Sequence, residues 1–175
     1  MKSVLISIQP KWCELIASGK KTVEVRKPRP KLETPFKVYI YCTQGLFKDL
    51  GVIGNEMYQK RMKVIGEFVC DDIAKILNFV THFGVEGRPE RELNTIARAS
   101  CLDYMDMLGY LGTEKDGYAW HISDLKIYDH PKKLSEFCSY DARIYIGENG
   151  FPMHTHAITR PPQSWCYVAE GGGAE

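Results

Sequence analysis

The chain opens on an apolar, β-branched run over residues 3–8 that predicts a strand. Pro10 suits the first turn of a helix, where its missing N–H costs nothing. Trp12, Leu15 and Ile16 fall at i, i+3 and i+4 as one apolar stripe, and Gly19 supplies the stop. From Thr22 to Arg26 polar and apolar residues alternate, the pattern of a half-buried strand. Val23 and Val25 then face the core, and Glu24 and Arg26 share the other face. Lys27-Pro28-Arg29-Pro30-Lys31 carries two prolines and reads as an exposed basic loop. Strands are predicted again over 36–43 and 63–70, a short helix over 71–79, and a loop over 80–92 around Gly84, Gly87 and Pro89. A capping-box-like start over residues 100–103, the spacing of Tyr104, Met107, Leu108 and Leu111, and a stop at Gly112 predict a further helix. Strand character returns over 117–128. Residues 138–160 read as irregular with a hairpin turn at Asn149-Gly150, and a last strand is predicted over 164–168.

Five to six strands with helices inserted irregularly between them, strand first and strand last, predict an α+β chain that is mainly β. That order suits a closed β-barrel better than repeated βαβ units. No repeat or linker divides the sequence, so one domain is expected over residues 1–168, with a flexible tail over 169–175 that begins near Gly171-Gly172-Gly173. A length of 175 residues is enough to bury a core in one domain.

Composition narrows the function classes. No apolar run approaches the ~18 residues of a membrane span, and the first strand is too short for a signal peptide. The cysteines Cys13, Cys42, Cys70, Cys101, Cys138 and Cys166 form no CxxC pair and sit mostly in apolar segments. They read as reduced thiols without disulfides, and the expected compartment is cytoplasmic. A net charge of +1 argues against a long grip on duplex nucleic acid but leaves room for a local basic patch and a small pocket.

The stretch that carries chemistry is Gly19-Lys20-Lys21-Thr22-Val23-Glu24-Val25-Arg26. Side chains two apart on a strand share a face, roughly 6.5–7 Å from one another. Glu24 and Arg26 are therefore placed to pair or to converge on one ligand, with Lys21 at the strand mouth. Arginine offers a planar fork for a phosphate or a base edge, and glutamate accepts from an amino group or acts as an acid or base. The competing reading is a solvated strand face with ordinary surface ion pairs.

The spacing Gly19-x-Lys21-x-x-Glu24-x-Arg26, after a strand and an amphipathic helix, resembles the GxKxxExR motif of the ASCH family. Residues 7–10 and 16–21 fit that family's opening, and residues 120–125 and 160–166 resemble a bacterial and phage branch of it. The resemblance implies a PUA-like closed β-barrel whose cleft is lined by the motif, and a ligand that is RNA or nucleoside-like. Some members resemble amidohydrolases acting on acetylated cytidine, and others are similar to ribonucleases. In the amidohydrolases the lysine at the position of Lys21 is catalytic and a threonine stands where this chain has Glu24. Thr22 is no substitute, because one residue along a strand is the opposite face. The expected reading is an RNA- or nucleotide-binding protein. The alternatives are a hydrolase, with Lys21 and Glu24 catalytic, and a protein-interaction module. Ligand contacts are expected from Lys20, Lys21, Glu24, Arg26, Ser164 and Trp165.

Other residues were weighed for the same site. Trp120, Trp165, Tyr39 and Tyr41 offer rings for base stacking or fill the core, with Trp165 favoured because a rigid Arg160-Pro161-Pro162 segment leads into it. His121 is expected as a packed histidine. Lys27, Arg29 and Lys31, with Lys2 and Lys37, form a basic rim suited to phosphates. Cys138, His154, His156 and Cys166 are zinc-type donors, but their spacings match no tight ligand pair, so no metal or other cofactor is expected.

Overall fold

In the computed structural model of the chain, residues 3–8 are buried without a break, as an apolar run with no polar alternation requires of an interior strand. The structure describes residues 2–46, 51, 53–79, 82–85, 90–112, 116–140, 145–146, 152–153 and 157–169. In chain order the elements are β1 (Lys2–Ile8), α1 (Pro10–Ala17), β2 (Val23–Arg26), β3 (Phe36–Cys42), α2 (Asn55–Gln59), β4 (Lys63–Cys70), β5 (Ile73–Phe79) and β6 (His82–Val85). There follow α3 (Glu90–Ser100), α4 (Tyr104–Leu111), β7 (Gly117–His121), β8 (Ser123–Lys132), a 3-10 turn (Leu134–Glu136), β9 (Cys138–Ser139), β10 (Tyr145–Ile146), β11 (Pro152–Met153) and β12 (Trp165–Ala169).

Two compact units share these elements. The first comprises Met1–Glu14, Lys37–Glu67 and Lys126–Glu175; the second comprises Leu15–Phe36 and Phe68–Leu125. The first is built on a six-stranded sheet in the order β8-β4-β3-β1-β12-β9. Within it β1 runs parallel to β3, from Val4 opposite Val38 to Ile8 opposite Cys42, and antiparallel to β12, from Lys2 opposite Ala169 to Ile6 opposite Trp165. Leu5, Tyr39, Tyr41, Val64, Phe137, Ile158 and Val168 form a core cluster there. Tyr39 and Tyr41 are thus core residues, Tyr39 edge-on to Phe137. The short pair β10-β11 is antiparallel, while the turn residues Asn149 and Gly150 lie outside the described residues.

The second unit carries a four-stranded antiparallel sheet in the order β2-β7-β5-β6. One of its faces presents Val23, Val25, Ala119 and Ile76, which cluster with Ile96 of α3 and Met107 and Leu111 of α4. Asp103 caps α4, its carboxylate accepting from the Asp106 N–H at 2.7 Å, and Gly112 ends it with a φ of +82°.

Several expectations are corrected here. Residues 73–79 are a strand, not a helix: Ile73, Ile76 and Leu77 have helical spacing, but pairing of 73–76 with β7 satisfies their backbone and overrides that local signal. The stretch 80–92 is no continuous loop, since it holds β6 and the start of α3, a helix that the pattern reading left unassigned. Gly87 and Pro89 lie outside the described residues. The strands do not form one closed barrel of five to six strands; they divide among three sheets. The chain passes between the two larger sheets after β1, after β2, after β4 and again after β7, so strands that follow one another in sequence are not kept in one sheet that could close. Residues 138–160 are also less irregular than their composition suggests, since β9, β10 and β11 fall there. Among the described residues no helix is long and apolar enough to cross a membrane.

Close packing of β4 on β8 gives a direct test. A Cβ at Gly66 would fall on the Lys126 carbonyl oxygen and lie 3.1 Å from the Ile127 Cα. Both neighbours are backbone and cannot swing aside. Gly66→Ala is therefore expected to lose about 1–3 kcal/mol of stability in urea unfolding. An unchanged midpoint would contradict this packing.

Candidate functional site

α1 ends at Gly19 with a φ of +72°, and the Lys21 N–H donates back to the Leu15 carbonyl at 2.9 Å. The next residue is stitched at both sides: the Thr22 N–H donates to Ala99 at 2.8 Å, and its carbonyl accepts from the Ile122 N–H at 2.9 Å. These bonds fix where Lys21 leaves the turn and where β2 begins. Strand alternation then puts Glu24 and Arg26 on the face opposite Val23 and Val25, as their spacing predicts. Antiparallel register sets Glu24 across from Trp120 and Arg26 across from Tyr118.

The three motif side chains meet. The Lys21 ammonium donates to the Ser100 carbonyl at 2.6 Å and lies 3.3 Å from Glu24 Oε2. Arg26 Nη2 lies 3.0 Å from Glu24 Oε1. Each carboxylate oxygen thus receives one cation. All three residues are buried, Lys21 at 2%, Glu24 at 6% and Arg26 at 8% exposure. A solvated strand face with ordinary ion pairs is excluded by that burial. Desolvating three charges is costly, and geometry of this kind is needed to offset it.

Tyr110 of α4 joins the cluster. Burial raises the pKa of its hydroxyl, against the lowering effect of the nearby Arg26 guanidinium. Lys27, exposed at the end of β2, holds its ammonium 5.6 Å from the centre of the Tyr110 ring.

The sequence profile of the ASCH domain matches residues 6–128, well over half the chain and the whole of this cluster. The chain belongs to the ASCH domain family. No protein of curated function matches it. Among solved structures it is similar to the ASCH protein of Zymomonas mobilis, at 20% identity and a TM-score of 0.60, covering 96% of this chain and 88% of that one. A tyrosine-to-phenylalanine variant of that protein matches at 20% identity with a TM-score of 0.59, covering 97% and 92%. A serine-to-alanine variant matches at 20% identity with a TM-score of 0.60, covering 96% and 89%. At that identity the likeness carries the fold alone.

The remaining candidates of this ASCH domain separate into groups. Lys20 is exposed on the turn before the buried cluster, and its carbonyl accepts from the Cys101 thiol. Lys27, Arg29 and Lys31 are all exposed, with Arg29 reaching the carbonyls of Pro30 and Leu32 at 3.4 Å. Lys2 and Lys37 belong to the first unit, where Lys2 lies 3.7 Å from the Tyr167 ring centre and Lys37 lies 3.7 Å from Glu67. Ser164 and Trp165 also belong to the first unit. Trp165 is half-buried and edge-on to Tyr167, and the Ser164 hydroxyl oxygen is buried with no hydrogen-bond partner among the described residues. Trp120 is fully buried and edge-on to Phe36, which makes it a core residue.

His121 departs from the expected packed histidine. It ends β7 about half exposed, with Nδ1 2.7 Å from Asp71 Oδ1. Cys138 and Cys166 sit on β9 and β12, and His154 and His156 lie outside the described residues. Among the described residues no group of three or more His, Cys, Asp or Glu is placed to hold a metal ion. Burial pushes the Cys70 thiol up to about 12 and that of Cys166 to about 11, so neither is a thiolate near neutral pH. Pattern reading missed Ser100, Tyr110 and Asp71. Tyr110 alone left a signal: it stands off the apolar stripe of α4, where an aromatic has no core to fill.

Removing Glu24 strands two buried cations, whereas removing Lys21 leaves a balanced Glu24–Arg26 pair. Glu24→Gln is therefore expected to cost about 3–5 kcal/mol in chemical unfolding, and Lys21→Met clearly less. The opposite order would mean that Glu24 does not hold the cluster together. Acid sensitivity follows from Asp71, whose carboxyl is held below its ordinary 3.8 mainly by the hydrogen bond with His121. A carboxyl with a lowered folded-state pKa stabilises the fold above its ordinary value, and the effect fades as pH falls through the lowered one. The stability gap between wild type and Asp71→Asn should then narrow below pH 3.8; a gap that stays constant on acidification would refute the pairing.

Proposed function

We propose that this ASCH domain binds RNA or a nucleotide through the Lys21–Glu24–Arg26 cluster, in a cleft formed by the GxKxxExR motif. One observation carries the reading: three motif charges are buried together in one ion-paired cluster. Folding alone does not call for this, because apolar residues of similar size at buried ion-pair positions are often as stable or more so. Buried, mutually oriented charges beside exposed cations are what a site for an anionic, hydrogen-bonding ligand needs. Arg26 supplies the planar fork for a phosphate or base edge, and Glu24 holds it in place. Lys20 with the rim of Lys27, Arg29 and Lys31 supplies phosphate contacts that carry no sequence information. Ser164 and Trp165 are proposed as ligand contacts belonging to the first unit, and the domain is proposed to span residues 1–168 and to work in the cytoplasm, which suits its free thiols.

Hydrolysis is the second reading, favoured by the 3.3 Å approach of the Lys21 amine to the Glu24 carboxylate, a distance suited to shared proton handling. In that reading Glu24→Gln abolishes turnover and leaves affinity intact.

Binding of a short single-stranded RNA, followed by fluorescence anisotropy, tests the first reading. Arg26→Lys keeps the charge and loses the fork. It is expected to weaken binding about tenfold, the loss of one charge-assisted hydrogen bond. Wild-type affinity in Arg26→Lys would reject the cluster as the ligand site, and cleavage of the strand by wild type would move the reading to the enzyme.

A further inference from the structure

We infer that Tyr110 is the base-stacking residue of this site, the ring on which a nucleobase lies while Arg26 and Lys27 meet the adjoining phosphate. The inference rests on the nucleotide-binding reading and adds to it the residue that recognises the base.

Three observations converge on Tyr110. Its hydroxyl interacts electrostatically with buried Arg26, yet the residue is 39% exposed. The other large apolar side chains exposed among the described residues are Leu46, Tyr58, Met62 and Met105, and none of them is part of this cluster. Second, the surroundings are cationic, with the Lys27 ammonium 5.6 Å from the ring centre. A cation beside an aromatic ring strengthens its use as a platform and places positive charge where a phosphate attached to a stacked base would lie. Third, the adjoining surface of α4 is uncovered: Gly109 is exposed, and a Cβ there would meet nothing within 4 Å.

Trp120, by contrast, is fully buried and packed on Phe36, so it offers no ring face to a base. Tyr110 thus takes a role for which Trp120 was one of several candidates.

The test uses two probes of equal length, a single-stranded RNA of mixed sequence and an abasic strand with the same phosphates. Tyr110→Leu keeps apolar bulk and removes the aromatic face; Tyr110→Phe keeps the face and removes the hydroxyl that interacts with Arg26. The expected result is that Tyr110→Leu binds the RNA roughly tenfold more weakly than wild type but binds the abasic strand equally well. Tyr110→Phe should stay within about twofold of wild type on both probes. Equal losses on both probes in either variant would overturn the inference, because Tyr110 would then act only by positioning Arg26. Unchanged RNA binding in Tyr110→Leu would overturn it as well, leaving the nucleotide-binding reading standing. Wild type that binds neither probe would overturn that reading and the inference with it.

Discussion

Burial of β2 on both faces is the constraint around which the second unit is arranged. One face is apolar and is covered by α3 and α4 through Val23 and Val25. The other is charged, and its burial is tolerable only because Glu24 sits between Lys21 and Arg26 and gives one oxygen to each. Every neighbouring feature contributes to holding that carboxylate in place. The turn at Gly19 aims Lys21, the end of α3 offers the Ser100 carbonyl to the same ammonium, and α4 brings Tyr110 to Arg26. The helices that fill the apolar side of the sheet thus also supply polar partners to the charged side. Packing and recognition in this unit share their elements.

Much of this was legible in residue order, for reasons that differ by position. Alternation over 22–26 assigns faces to Val23, Glu24, Val25 and Arg26 unambiguously, since a strand has a period of two. The helix stop at Gly19 is equally plain. What alternation cannot say is whether the polar face meets water, because that depends on what the chain lays over it later. Alternation alone leaves Glu24 and Arg26 open to a solvated face or a shared ligand site, and they are buried. Residues 73–79 failed for a related reason. Ile73, Ile76 and Leu77 suit either period, and the choice was made by β7, some forty positions downstream. Ser100 is unreadable in principle, because it contributes a backbone carbonyl and any residue supplies one.

The family resemblance was carried by four residues, Gly19, Lys21, Glu24 and Arg26, and their roles in the fold are now separable. Gly19 serves geometry alone, taking a φ that other residues strain to adopt. Lys21, Glu24 and Arg26 form one electrostatic unit in which no member is independent of the others. Their dependence is unequal: loss of Glu24 leaves two buried cations without their partner, whereas loss of Lys21 leaves the Glu24–Arg26 pair in balance.

The position of β12 has a consequence for how the chain is made. The six-stranded sheet seats β12 between β1 and β9, so its first strand waits for one of its last. The second unit draws only on residues up to Leu125, and its sheet pairs neighbours along the chain more closely. During vectorial synthesis from the amino end, the unit carrying the motif can therefore complete its contacts first. The other unit must hold β1, whose residues 3–8 are buried in the finished fold, partly unpaired until residues 165–169 have left the ribosome. Pairing across such sequence separation is slow and leaves a sticky edge in the meantime.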